Sequence, residues 1–164
     1  MKYVVFILLI SVSGIAQTTI DEALKKYNSN TVEYISVDQL AELLQKKPYI
    51  KLLDARAKSE FTVSHFKDAI HVGYKKFDLA KLPKKLQKKD TLIVYCSVGV
   101  RSEQIGEQLQ KAGFTNVFNL YGGIFQWQNQ ENPVFNQQGA KTDSIHAYDK
   151  KWGKFIENGI KVYE

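Results

Sequence analysis

One cysteine, Cys96, is all the thiol chemistry that this 164-residue chain carries. A lone cysteine excludes an internal disulfide and a zinc site built on a cysteine pair. The three histidines, His65, His71 and His146, lie far apart in different elements, so metal-ligand spacing is missing and no metal is expected. Long hydrophobic runs are missing too: the apolar stretch from Tyr3 to Ile10 is too short for a comfortable membrane span. There is no internal repeat and no low-complexity tract. The most basic stretch, "KKFDLAKLPKKLQKKD" at 75–90, is built mainly of lysines without arginine-rich interleaving, so it reads as a solvated face and no nucleic-acid partner is expected. The net charge of +6 then implies at most some attraction for small anions or acidic partners.

The N-terminal residues have Lys2, the uncharged Tyr3–Ile10 stretch and small residues around Gly14 and Ala16. This is the layout of a secretory signal peptide, with cleavage expected near Ala16–Gln17. The alternative, a first core strand, lacks a turn returning it to a sheet. No cysteine follows the run, which argues against a lipoprotein anchor, so the expectation for 1–16 is a cleaved signal and an exported, periplasmic or secreted protein with no stable membrane anchor. An exported protein ordinarily uses cysteine in disulfides. Cys96 is therefore inert and buried, paired with another molecule, or kept as a reactive thiol.

With 44% hydrophobic and 12% aromatic residues, the chain can build one proper core but hardly two. Residues 17–30 read as a lead-in helix, with Thr19 and Glu22 spaced as a capping box. From 31 to 132 strands and helices alternate. "TVEYIS" precedes a helix signalled by Ser36 and Gln39, with Val37, Leu40, Leu43 and Leu44 on one face. "YIKLLDAR" is a strand, "KSEFTVSHFKDA" a short helix and turn, "IHVGY" a brief strand, and "LAKLPKKLQ" a helical piece near Pro83. "TLIVYC" is a strand without alternation, as when helices cover both faces. "RSEQIGEQLQKAGF" places Ile105, Leu109 and Ala112 at helical spacing, "NVFNLYGG" is the last strand, and "GIFQWQNQ" a last short helix. Such alternation implies an α/β domain with a mostly parallel sheet. Residues 133–164 open on a polar linker, but Trp152, Phe155, Ile156 and Ile160 are too apolar for a disordered tail. This extension is expected to pack on the domain as a short helix.

Cys96 falls at the carboxyl end of a strand, where ligands collect in open α/β sheets. If the backbone from Ser97 to Arg101 curls above the sulfur, its N–H groups and the start of the next helix form an anion cradle. Gly99 permits a positive φ in so tight a loop. That field, with the charge of Arg101, favours thiolate over thiol. The competing reading is a buried packing cysteine.

From about Val32 to Trp127 the sequence resembles the rhodanese-like sulfurtransferases at four places in order: "LLDAR" (52–56), "SEFTVSHFKDAIHV" (59–72), "YCSVGVRS", and "GFTNVFNLYGGIFQW" with its strand, Gly-Gly turn and Trp. Ser64 and Asp68 stand where that family usually has glycine. The resemblance implies a three-layer α/β/α fold on a mostly parallel five-stranded sheet, followed by the C-terminal extension. It makes Cys96 the nucleophile that accepts a sulfane sulfur as a persulfide, cradled by Ser97, Val98, Gly99, Val100 and Arg101, with Ser102 closing the loop. Asp54, Arg56, Glu60 and His65 take supporting roles. By their residue types alone, Asp54 braces a loop, Arg56 and Glu60 form a surface ion pair, and His65 is a hydrogen-bonding core residue rather than a base. Arg56 is the one expected to attract the substrate anion.

The implied reaction is double displacement: a small sulfur-containing anion such as thiosulfate gives its outer sulfur to Cys96, and a thiol or cyanide takes it away, without metal or organic cofactor. One alternative is a persulfide carrier or binding module with little turnover, serving an exported partner protein. Another is a cysteine phosphatase or arsenate reductase. Those have five residues between cysteine and arginine, and here there are four.

Overall fold

The strand without alternation is the middle of the sheet. The structure, a computed structural model, describes residues 19–46 and 50–163, so the expected signal segment and its cleavage point lie outside the described residues. Five strands, Glu33–Ile35 (β1), Lys51–Asp54 (β2), Ile70–His71 (β3), Thr91–Tyr95 (β4) and Asn116–Leu120 (β5), form one sheet in the order β1-β5-β4-β2-β3. All four pairings are parallel. The expected mostly parallel sheet is thus wholly parallel.

Among the described residues five helices accompany it: Ile20–Tyr27 (α1), Val37–Lys46 (α2), Lys58–Val63 (α3), Val100–Lys111 (α4) and Gly123–Asn129 (α5). Their starts follow local signals. Thr19 and Glu22 exchange hydrogen bonds at the head of α1, and Ser36 and Gln39 do the same at α2, so each cap satisfies two backbone donors that helix geometry leaves unpaired.

Alternate side chains of β4 enter two cores. Ile93 and Tyr95 pack in one with Val37 and Leu40 of α2 and Ile124 and Phe125 of α5. Leu92 and Val94 pack in the other with Ile105 and Leu109 of α4. Because both faces are covered, apolar side chains are required on both, which is why β4 shows no period of two. The result is a three-layer α/β/α fold whose strands deliver their carboxyl ends to one edge.

Two segments differ from expectation. Residues 79–87 form only a 3₁₀ turn, Leu79–Lys81, because Leu82 precedes Pro83 and is held extended, out of the helical region. The C-terminal extension packs on the domain, with Val134, Ile145, Ala147 and Ile156 in the first core. It does so mostly as strands. Val134–Phe135 (β6) and Lys141–Thr142 (β7) make a small hairpin where a linker was expected, and Ser144–His146 (β8) pairs in parallel with Ile160–Val162 (β9). Helical geometry is confined to a 3₁₀ turn at Trp152–Phe155. Pairing this short tail against itself satisfies backbone groups that would otherwise be left without partners.

The start of α5 fixes the position of the cysteine loop. Ile124 N–H donates to the Cys96 carbonyl (2.9 Å) and Phe125 N–H to the Ser97 carbonyl (3.1 Å). Gly123, at φ +56, allows that approach, since a Cβ there would lie 2.3 Å from the Cys96 carbonyl oxygen. Gly123→Ala is therefore expected to cost about 3 kcal/mol, from the left-handed backbone and the overlap together. A urea-unfolding midpoint equal to the wild type would contradict this close approach.

Candidate active site

Cys96 follows the last residue of β4 and is 1% exposed. The chain turns through Ser97, Val98 and Gly99 and enters α4 at Val100. Gly99 takes φ +112, as the tight loop requires, and its N–H lies 3.2 Å from Cys96 Sγ. Ser102, one turn into α4, places its hydroxyl 3.5 Å from the sulfur. That hydroxyl also sits 2.7 Å from Asn119 Oδ1, the closer acceptor for its single proton.

Burial alone would raise the thiol pKa. The charge of Arg101 and the hydrogen bonds from the backbone N–H groups of Ser102 and Gly99 outweigh it and bring Cys96 below the ordinary thiol value. The free thiol at the loop's centre thus ionises more readily than an ordinary thiol, despite its burial.

The supporting residues pair differently from the sequence expectation. Arg56 and Glu60 form no surface ion pair: both are buried, at 0% and 1% exposure. Arg56 is held by Asp54 through Nε and Nη2 and donates to the Ser64 carbonyl at 2.6 Å. A guanidinium so enclosed does not reach a substrate, so Arg56 braces the end of β2 and is not the anion attractor. Glu60 instead takes a two-pronged contact from Arg101, each prong 2.7 Å, and a hydrogen bond from the Ser97 hydroxyl at 3.1 Å. Burial opposes the charge on Glu60, but Arg101 overrides it and lowers its pKa to about 2.

His65 is half-buried. Its Nδ1 lies 2.9 Å from the Phe61 carbonyl and its ring stacks on Phe61 at 4.0 Å, which fits a structural role and leaves it outside the loop. His71 also packs on Phe61. Among the described residues no three His, Cys, Asp or Glu side chains converge as a metal site. Asp68 adopts φ +58, the left-handed conformation for which glycine is the usual choice. Ser64 is extended at φ −162, so any residue fits its backbone there.

Other residues complete the site without having been singled out in the sequence. Asn119 and Asn28 both donate to the Gly99 carbonyl, at 2.8 and 3.0 Å. Glu103, buried behind the loop, accepts the N–H groups of Ser29 and Thr31. Asn119 had a legible signal, a polar residue at an inward position of an apolar strand. From the C-terminal extension come Tyr148 and Trp152. With Cys96, Ser97, Val98, Val100 and Arg101 they line a pocket of about 90 Å³.

The match to the rhodanese-like domain model covers residues 36–130, more than half of the chain. The chain belongs to the rhodanese-like domain family. Among solved structures, this rhodanese-like fold is similar to the BH2092 protein of Bacillus halodurans, 25% identical with a TM-score of 0.60 over 75% of this chain and 90% of that one. It is also similar to the polysulfide-sulfur transferase homodimer of Wolinella succinogenes, 23% identical with a TM-score of 0.58 over 70% and 85%. A curated relative is the tRNA uridine(34) hydroxylase of onion yellows phytoplasma, 31% identical over 123 residues, 72% of this chain and 38% of that protein. Another is the adenylyltransferase and sulfurtransferase uba4 of Ogataea parapolymorpha, 33% identical over 107 residues, 63% of this chain and 25% of that protein. The chain thus spans well under half the length of these curated relatives.

Two measurements test the electrostatics. The rate of Cys96 alkylation by iodoacetamide is expected to rise with a midpoint below the ordinary thiol value of 9.0, and Arg101→Gln should move that midpoint upward. A midpoint unmoved by Arg101→Gln would show that the charge does not act on the sulfur. Because the folded-state pKa of Glu60 is depressed, its contribution to stability is complete above 4.5 and is lost as pH falls towards about 2. Glu60→Gln should flatten acid unfolding across that window; an unchanged acid profile would count against the pairing.

Proposed function

We propose that the protein is a sulfurtransferase. Cys96 takes a sulfane sulfur from a donor such as thiosulfate and passes it to a thiol or cyanide. The observation that carries this reading is the sulfur itself: a thiolate favoured by Arg101, Ser102 and the Gly99 N–H, facing a small pocket at the carboxyl end of β4. Two relatives bear sulfur-transfer names, which supports the reaction class.

The thiolate attacks the outer sulfur of the donor, the donor's S–S bond breaks, and sulfite leaves with the bonding pair. Cyanide or a thiolate then attacks the terminal sulfur of the persulfide and restores the Cys96 thiolate, so charge and atoms balance in each half. Glu60 keeps Arg101 in place and Ser97 turned; neither donates a proton. No metal or organic cofactor enters either half.

Phosphate chemistry is disfavoured by the same geometry. A phosphate dianion is best held by a free guanidinium fork, and here both prongs of Arg101 lie on Glu60. A carrier with little turnover shares the persulfide and differs only in how readily small acceptors discharge it. We further propose export, on the charge and length pattern of residues 1–16. An exported protein acceptor fits that compartment.

Incubation with thiosulfate is expected to add one sulfur atom to the intact mass, and cyanide to remove it with multiple turnovers. Cys96→Ser should gain nothing. Absence of the adduct with every donor tried would overturn the sulfur reading, and an adduct that cyanide removes only once would leave the carrier.

A further inference from the structure

The match to the family model ends at residue 130, yet the pocket over Cys96 is closed by residues beyond it. Tyr148 lies with its ring 5.0 Å from the Arg101 guanidinium, at φ +65, a conformation a bulky side chain adopts only when its surroundings hold it there. What holds it is on the page: its N–H donates to His146 Nδ1 at 3.0 Å, and the neighbouring Ala147 N–H donates to the Val162 carbonyl at 2.7 Å. Trp152 is braced by Tyr27 of α1 and by Phe155. The lip is therefore built by the segments flanking the matched domain on both sides.

Neither arginine near the pocket is free to hold a small inorganic dianion. Arg101 is neutralised by Glu60 and its face is covered by Tyr148; Arg56 is buried on Asp54. What else lines the pocket is apolar, namely Val98, Val100, Trp152 and the Tyr148 ring, with Lys151 Nζ outside it at 5.7 Å from the Trp152 ring.

We infer that Tyr148 and Trp152 are specificity-determining residues that select a sulfane-sulfur donor carrying an apolar organic group, such as an organic thiosulfonate, over inorganic thiosulfate. This deepens the sulfurtransferase reading and rests on it. The monoanionic thiosulfonate end meets the backbone N–H groups of the loop, and its organic body lies on the aromatic lip. The Cys96 thiolate bonds to the terminal sulfur, the donor's S–S bond breaks, and the sulfinate R–SO₂⁻ leaves with the electron pair. One persulfide and one sulfinate result from one thiolate and one thiosulfonate, with no outside oxidant or reductant.

The test compares benzenethiosulfonate with thiosulfate in the full chain, cyanide being the acceptor and thiocyanate the product measured. The wild type is expected to show the higher kcat/KM for benzenethiosulfonate. Trp152→Ala should lower the ratio of the two kcat/KM values roughly ten-fold, through the lost apolar contact. Tyr148→Ala should lower it in the same direction, and Trp152→Phe should keep most of it. A wild-type preference for thiosulfate, or a ratio that ignores Trp152→Ala, overturns the inference while the sulfur adduct on Cys96 still forms. Failure of both donors to place sulfur on Cys96, read by intact mass, overturns the sulfurtransferase reading and the inference with it.

Discussion

The Glu60 carboxylate is the knot on which this site depends. It accepts the Ala57 N–H that heads α3, the Ser97 hydroxyl of the cysteine loop, and both prongs of Arg101 in the first turn of α4. A buried carboxylate without such partners would be expelled or protonated, so the three elements must stay together for the charge to be tolerated. A second pair, Asp54 with Arg56, ties the end of β2 to the Ser64 carbonyl. These are the only two arginines in the chain, which has 23 basic residues in all. Lysine would fill neither place, because each arginine makes a planar fork that a point charge on a flexible stem does not reproduce.

What was legible in the sequence was local. The Thr19–Glu22 and Ser36–Gln39 caps, Gly99 and the apolar β4 each state their conformation within a few residues, and each is found where those residues place it. The ion pairs were not legible in this way. Glu60 and Arg101 are 41 residues apart, and a charged residue in a sequence looks like a charge in water until the fold encloses it. That is why Arg56 read as an anion attractor and proved to be a buried brace. The tail was half legible: its apolar residues required burial, but strand pairs of two or three residues leave no periodicity to read.

The knot also shapes the field at the sulfur. Close to Cys96, the positive end of the Glu60–Arg101 pair is what the thiolate senses, and the thiol pKa falls. From further away the two charges cancel, so this pair stabilises a negative sulfur without itself adding a net charge that draws anions from solution. In the proposed reaction this pair leaves substrate affinity to other groups, the loop N–H groups at one end and the rim, with Lys151 beside Trp152, at the other.

Burial of Cys96 adds a direction to the proposed chemistry. A persulfide has two sulfur atoms that an acceptor can attack. Attack on the outer one transfers sulfur; attack on the inner one makes a mixed disulfide with the enzyme and ends the cycle. The inner atom, Sγ, is 1% exposed at the residue level and ringed by Gly99 and Ser102. The outer atom stands about 2 Å further along the S–S bond, towards the pocket. Thiol–disulfide exchange follows access as well as leaving-group strength, so an acceptor entering past Tyr148 and Trp152 meets the outer sulfur first. With no second cysteine in the chain to rescue a mixed disulfide, the proposed cycle depends on keeping Sγ below the rim.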